Sequence, residues 1–256
     1  KEIYIPKAKF LAAKAIELDE SLAEAHLSLA YGKFRLEWNW KEAEKGFKRA
    51  IELRPSFSRA HELYGLYLSL SGRFEEGIVE MKKAHELDPL SISVSTGLGR
   101  CLHFARRYDK AIMQFKKTLD MDPNYSDAHF GLGMTLLLKK EFNESVKELK
   151  KAIELSGGRL VMIAVLGVNY AFAGEREKAL GIIDELKKRS DPNPVSPWFL
   201  AAIYAGLGEN DIAFNYLYKS LEEKEGLLVY MKAEPFYEKI KKDPRFKDIL
   251  SKIGFE

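Results

Sequence analysis

The chain has 256 residues, 46% apolar and 31% charged, with 41 Lys plus Arg against 38 Asp plus Glu and a net charge of +3. That composition excludes a disordered chain, which lacks the apolar residues to offset ordering entropy. It also argues against a dedicated nucleic-acid binder, which concentrates basic charge on one face. The lone cysteine, Cys101, leaves no pair for a disulfide or a zinc site, and no apolar run approaches the roughly 18 residues of a spanning helix.

The opening Lys1-Glu2-Ile3-Tyr4 is neither an initiator Met nor a secretory signal. The expectation is a processed product or fragment in a reducing, cytoplasmic setting. The first segment closes on Ile16-Glu17-Leu18-Asp19-Glu20, and similar punctuation returns at Ile51-Glu52-Leu53-Arg54-Pro55, Glu86-Leu87-Asp88-Pro89, Asp120-Met121-Asp122-Pro123 and Ile153-Glu154-Leu155-Ser156-Gly157. A weaker copy is Lys188-Arg189-Ser190-Asp191. The closing positions are 20, 55, 89, 123, 157 and 191, so the first interval is 35 residues and each later one 34. A fixed period of that length is the signature of a repeated helix-turn-helix unit.

Between the marks the apolar spacing is helical. Ala60, Tyr64, Tyr67 and Leu68 share one face, Ser71-Gly72-Arg73 breaks the pattern, and Phe74, Ile78, Met81 and Ala84 define a second helix. The next repeats run Leu98-Gly99, Leu102, Tyr108, Ala111, Phe115; then Leu132-Gly133, Leu136, Phe142, Leu149, Ala152; then Leu166-Gly167, Tyr170, Gly174, Ala179; then Leu200-Ala201, Tyr204, Gly208, Ala213. The extra residue of the first repeat is expected near Leu36-Glu37-Trp38-Asn39-Trp40, as a longer helix or a reshaped turn. Pro192, Pro194 and Pro197 predict a late start for the first helix of the sixth repeat. After Gly226 the period stops, and Pro235 and Pro244 mark two further helix starts.

These residues resemble the tetratricopeptide repeat. Gly65, Gly99, Gly133 and Gly167 match its small first-helix position, and Ala43, Ala111, Ala179 and Ala213 its small second-helix position, with Gly77 and Ser145 as near-equivalents. The resemblance implies an all-α, right-handed α-solenoid: a half repeat at 1–20, six repeats over 21–226, and capping helices at 227–256 that shield Leu217, Leu221 and their neighbours. The tail, with Asp243-Pro244-Arg245-Phe246, is also similar to that of prokaryotic arrays fused to winged-helix, cyclase or kinase effectors.

Catalytic chemistry finds little footing. His26, His61 and His129 occupy one repeat position, so they belong on separate layers rather than in a metal cluster. Gly97-Leu98-Gly99 and Gly131-Leu132-Gly133 lie within helices, without the strand–loop–helix setting of a phosphate loop. The short basic runs, such as Lys187-Lys188-Arg189, sit at helix ends, where they complement the dipole. No cofactor, metal, nucleic acid or membrane insertion is expected, and the chain reads as a non-enzyme.

The resemblance implies that first helices line a concave face. The residues it places there are Tyr31, Leu66, Leu70, Arg100, Phe104, Asp127, Phe130, Met134, Leu138, Val168, Phe172 and Trp198. The Lys, Asn and Arg set with which one version of the family grips a terminal carboxylate is missing. What remains is an apolar stripe, the usual mark of a partner site. Two readings stay open: a protein-interaction scaffold binding a partner peptide or protein in this groove, as part of a larger regulatory or signalling protein, or a structural, oligomerising segment whose groove is buried by itself or by another copy.

Overall fold

A computed structural model describes residues 4–189 and 195–255. The described residues form an all-α array of antiparallel helix pairs wound into a right-handed solenoid. Helix α1 (Tyr4–Leu18) is a half repeat. The pairs that follow are α2 (Ala23–Leu36) with α3 (Trp40–Leu53), α4 (Ser58–Leu70) with α5 (Phe74–Leu87), and α6 (Ile92–Phe104) with α7 (Tyr108–Met121). The remaining pairs are α8 (Ser126–Leu138) with α9 (Phe142–Leu155), α10 (Leu160–Phe172) with α11 (Arg176–Arg189), and α12 (Pro197–Leu207) with α13 (Asn210–Glu222). First helices pack on the first helices before and after them, which makes the inner layer.

The turn inside each pair keeps the register. One residue there takes a left-handed conformation: Trp38, Gly72, Arg106, Lys140, Gly174 and Gly208. Those positions are 34 apart throughout. The extra residue of the first repeat therefore lies before Trp38 rather than in the turn. Helix α2 absorbs it, with 14 residues where α4, α6, α8 and α10 have 13. Helix α12 starts at Pro197 and has only 11 residues. Pro can open a helix because its missing N–H is not needed in the first turn. Ser190, Asp191, Pro192 and Pro194 lie outside the described residues.

Small residues set the distance between layers. Ala43, Ala111, Ala179 and Ala213 are fully buried, as is Ser145. In the second repeat both helices use glycine: a Cβ on Gly65 would stand 2.9 Å from the Gly77 carbonyl oxygen, and one on Gly77 only 2.7 Å from that of Gly65. Backbone meets backbone here, so no rotamer change can make room.

The chain after α13 does not simply cover the last repeat. Two short 3₁₀ segments, Gly226–Tyr230 and Pro235–Ile240, precede helix α14 (Pro244–Lys252). Pro235 and Pro244 do open their elements. Helix α14 packs on α13, where the Tyr218 hydroxyl donates to Asp248 at 3.1 Å. The two 3₁₀ segments instead run along the inner side of the solenoid: the first packs against α2 and the second against α12. Residues 226–255 form a strap linking the two ends of the array.

Substitution of Gly77 by Ala is expected to lower thermal stability by roughly 1–3 kcal/mol, through backbone overpacking. Gly181 is the control: it lies within α11 with nothing inside 4 Å of an added Cβ. Gly181→Ala should raise the melting point, by up to about 1 kcal/mol of stability. Equal midpoints for the two variants would contradict the assigned packing.

Candidate functional site

The inner face is built from one stripe of each first helix, and the strap lies on part of it. Leu70, Phe104, Val168 and Trp198 are buried, while Tyr31, Leu66, Arg100, Asp127, Phe130, Met134, Leu138 and Phe172 are half-buried. They fall into two apolar clusters. Leu70 and Phe104, with Tyr31 and Leu66 beside them, join Val229 and Ala233 of the strap. Val168 and Trp198, with Phe130, Met134, Leu138 and Phe172 beside them, join Met231, Phe236 and Tyr237.

The strap is held along its length by specific contacts. Glu225 accepts from the Trp198 backbone N–H at 3.2 Å and from the Ser220 hydroxyl, fixing the departure from α13. Tyr230 accepts from Arg100 Nη2 at 3.1 Å. Phe236 meets Phe172 edge-on at 6.4 Å, and Tyr237 meets Trp198 at 5.4 Å. Arg106 donates to Glu238 at 2.7 Å. The far end reaches the first repeat: Trp40 Nε1 donates to the Ile253 carbonyl at 2.7 Å, and the Trp40 and Phe255 rings lie 4.2 Å apart. The sequence reading put Trp38 and Trp40 beside the extra residue, at a longer helix or a reshaped turn. Their environment is this closure, since both pack where the two clusters meet.

Among the described residues, one first helix presents three successive inward residues that stay half-buried at these repeat positions: α8, with Phe130, Met134 and Leu138. At its entrance Arg159 donates to Asp127 at 2.7 Å, and on α4 Arg59 donates to Glu62 at 2.6 Å, so these rim carboxylates already have cationic partners. A separate cleft of about 650 Å³ opens outside the closure, walled by Trp38, Trp40, Tyr67 and Phe255. Its carboxylate Glu44 accepts from Arg73 at 2.7 Å and Tyr64 at 2.9 Å. Burial pushes the Glu44 carboxyl upward, but hydrogen bonds from Arg73, Lys48 and Tyr64 outweigh it and hold the pKa at about 2.

The histidines serve packing. His61 bridges Glu80 at 2.7 Å and the Pro55 carbonyl at 2.9 Å, and His129 repeats this with Glu148 at 2.6 Å and Pro123 at 3.0 Å. Each ring ties its helix to the next helix and to the preceding turn. No group of three potential metal ligands occurs among the described residues, and no described helix is long and apolar enough to cross a membrane. Cys101 is fully buried, and burial raises its thiol pKa to about 11, the opposite of what a nucleophile needs.

A tetratricopeptide-repeat family model matches residues 97–159, which span α6 to α9. Over that stretch the repeating unit is the tetratricopeptide repeat. Solved structures share the solenoid at low sequence identity. The human IFIT1 dimer with PPP-AAAA aligns with a TM-score of 0.68 at 16% identity, over 97% of this chain and 68% of that one. PilW, described as a widely conserved type IV pilus biogenesis factor, gives 0.59 at 16% identity, over 86% and 98%. Pseudomonas aeruginosa pilF gives 0.56 at 22% identity, over 75% and 87%. These likenesses establish the fold. No curated protein matches the chain significantly in sequence. Tetratricopeptide repeats generally serve as protein-interaction scaffolds without catalysis.

The strap residues Tyr230, Phe236 and Tyr237, and Arg35 on α2, were not anticipated on the inner face. The signal for the strap was present in the run Leu227-Leu228-Val229-Tyr230-Met231, too apolar for a solvated tail.

Glu44 predicts an acid limb in stability. Its folded pKa is about 2 against an ordinary 4.5, so the unfolded chain takes up the proton first as pH falls. Its stabilisation is present above about pH 4.5 and lost as pH drops towards 2. Chemical denaturation of Glu44→Gln against the parent across that window should show a flatter acid limb; parallel limbs would contradict the assignment.

Proposed function

We propose that this chain is a non-enzymatic scaffold that receives a partner protein segment on the α8 part of the inner face, the strap filling the rest. The observation that carries this reading is the half-buried row Phe130, Met134 and Leu138. The corresponding surfaces of α10 and α12 are more fully covered.

Energetics separate the two parts of the groove. Leu228, Val229, Met231, Phe236, Tyr237 and Ile240 are each no more than 1% exposed. At roughly 1.5–3 kcal/mol per buried side chain, these six alone represent about 9 kcal/mol or more. A partner that displaced the strap would have to expose these side chains to water again, whereas one seated on α8 leaves them in place. The strap is therefore core, and the partner uses what it leaves. An apolar segment fits there with moderate affinity and weak salt dependence, because burial rather than charge drives it.

Site-specific photo-crosslinking tests this. A photoreactive residue at Met134 or Leu138 should give a discrete protein adduct in host extract, and one at Val79, exposed on α5, should not. Phe130→Asp, folded by circular dichroism, should abolish the adduct. Equal adducts at Val79, or adducts indifferent to Phe130→Asp, would place the site elsewhere.

A further inference from the structure

The strap places the Tyr230 ring beside two arginines that form no ion pair among the described residues. Arg35 on α2 stands with its guanidinium carbon 5.4 Å from the centroid of the Tyr230 ring. Arg100 on α6 stands at 5.9 Å from the same ring and donates one N–H to its hydroxyl at 3.1 Å. Neither arginine has a carboxylate partner among the described residues. The nearby acids are engaged elsewhere: Asp127 by Arg159, and Glu62 by Arg59 and Ser93. Glu234 of the strap faces His103 at 3.9 Å and pairs with neither guanidinium among the described residues. Arg35 is more exceptional still, because its Nε and Nη1 are buried without any hydrogen-bond partner.

Burial works against the charge of a half-buried guanidinium, and at Arg100 the surroundings, Tyr230 foremost, outweigh it. Here two like charges also act on one phenol: burial raises the Tyr230 pKa, yet Arg100 and Arg35 bring it below its ordinary value. Both arginines and Tyr230 keep some solvent contact, being half-buried rather than sealed. The chemistry that completes such a site is an oxyanion, because a planar guanidinium fork matches the oxygens of phosphate or carboxylate.

We propose that Arg35, Arg100 and Tyr230 form an oxyanion-binding site at the junction of α2, α6 and the strap. The site exists only in the closed chain, since Tyr230 comes from the strap and the arginines from two different repeats. By linkage, a bound oxyanion stabilises the seated strap. The site is independent of the α8 row, and its test needs no protein partner.

The experiment is titration calorimetry of the full chain with inorganic phosphate and, in parallel, malonate, with sodium chloride at matched ionic strength as control. Thermal melting is followed in the same solutions. Saturable binding of phosphate, malonate or both, with a rise in melting point that chloride does not reproduce, is the expected result. Phosphate alone identifies a phosphoryl ligand, and malonate binding extends the site to carboxylates. Arg35→Gln and Arg100→Gln should each weaken binding at least about tenfold. Arg100→Lys, which keeps the charge but loses the fork, should retain partial affinity, and Tyr230→Phe should weaken it less than either Gln variant. The glutamine variants must retain the parent helical signal; if one does not, the Lys and Phe variants decide. Absence of saturable binding by either anion overturns the proposal. So does binding unaffected by these substitutions.

Discussion

The constraint on which this molecule depends is the burial of the strap across the inside of the solenoid. A tetratricopeptide array buries apolar surface only between neighbouring repeats, so its inner face is left exposed unless something occupies it. Here the first helices present Leu70, Phe104, Val168, Phe172 and Trp198 inward, and residues 226–255 pack against them. The same segment reaches Trp40 in the first repeat and Tyr218 in the last. A one-dimensional array gains contacts between its ends, and those contacts pass through the strap rather than from repeat to repeat.

That arrangement divides the inner face by energy. Where the strap lies, its side chains are sealed from water, and the face is part of the core. Along α8, Phe130, Met134 and Leu138 stay half-buried, and the apolar face is only partly covered. The junction of Arg35, Arg100 and Tyr230 lies between distant repeats, which explains how charges from α2 and α6 come to meet one ring.

The solenoid was legible in the sequence because its physics is local. The 34-residue period, the small residues at Gly65, Gly77 and Ala111, and the breaks at Gly72, Gly174 and Gly208 each follow from contacts within a repeat or with its neighbour. The period even fixes the left-handed position of Trp38, Arg106 and Lys140, where residue type gives no hint. Of the two forms expected for the extra residue, a longer helix or a reshaped turn, the structure has the longer helix, α2. The inner face was harder to read. Periodicity gives the direction in which Arg100 or Phe172 points, but not what meets it. The strap has no period, and its contacts cross more than a hundred residues, as between Arg100 and Tyr230. The sequence reading gave residues 227–256 a capping role over the last repeat, but nothing periodic in them foretold the reach to the first repeat.

Native-state hydrogen exchange tests directly whether the strap is core. The backbone N–H groups of Met231, Ala233 and Glu234 are bonded within the strap, to Leu228 and Tyr230. Short 3₁₀ turns of this kind have little stability of their own. If the strap is part of the cooperative core, these amides exchange only through global opening, with the same free energy as the inner amides of α6 and α8. Fast, sub-global exchange of all three, while α6 and α8 stay protected, would show a strap that detaches from an intact solenoid and would contradict the account.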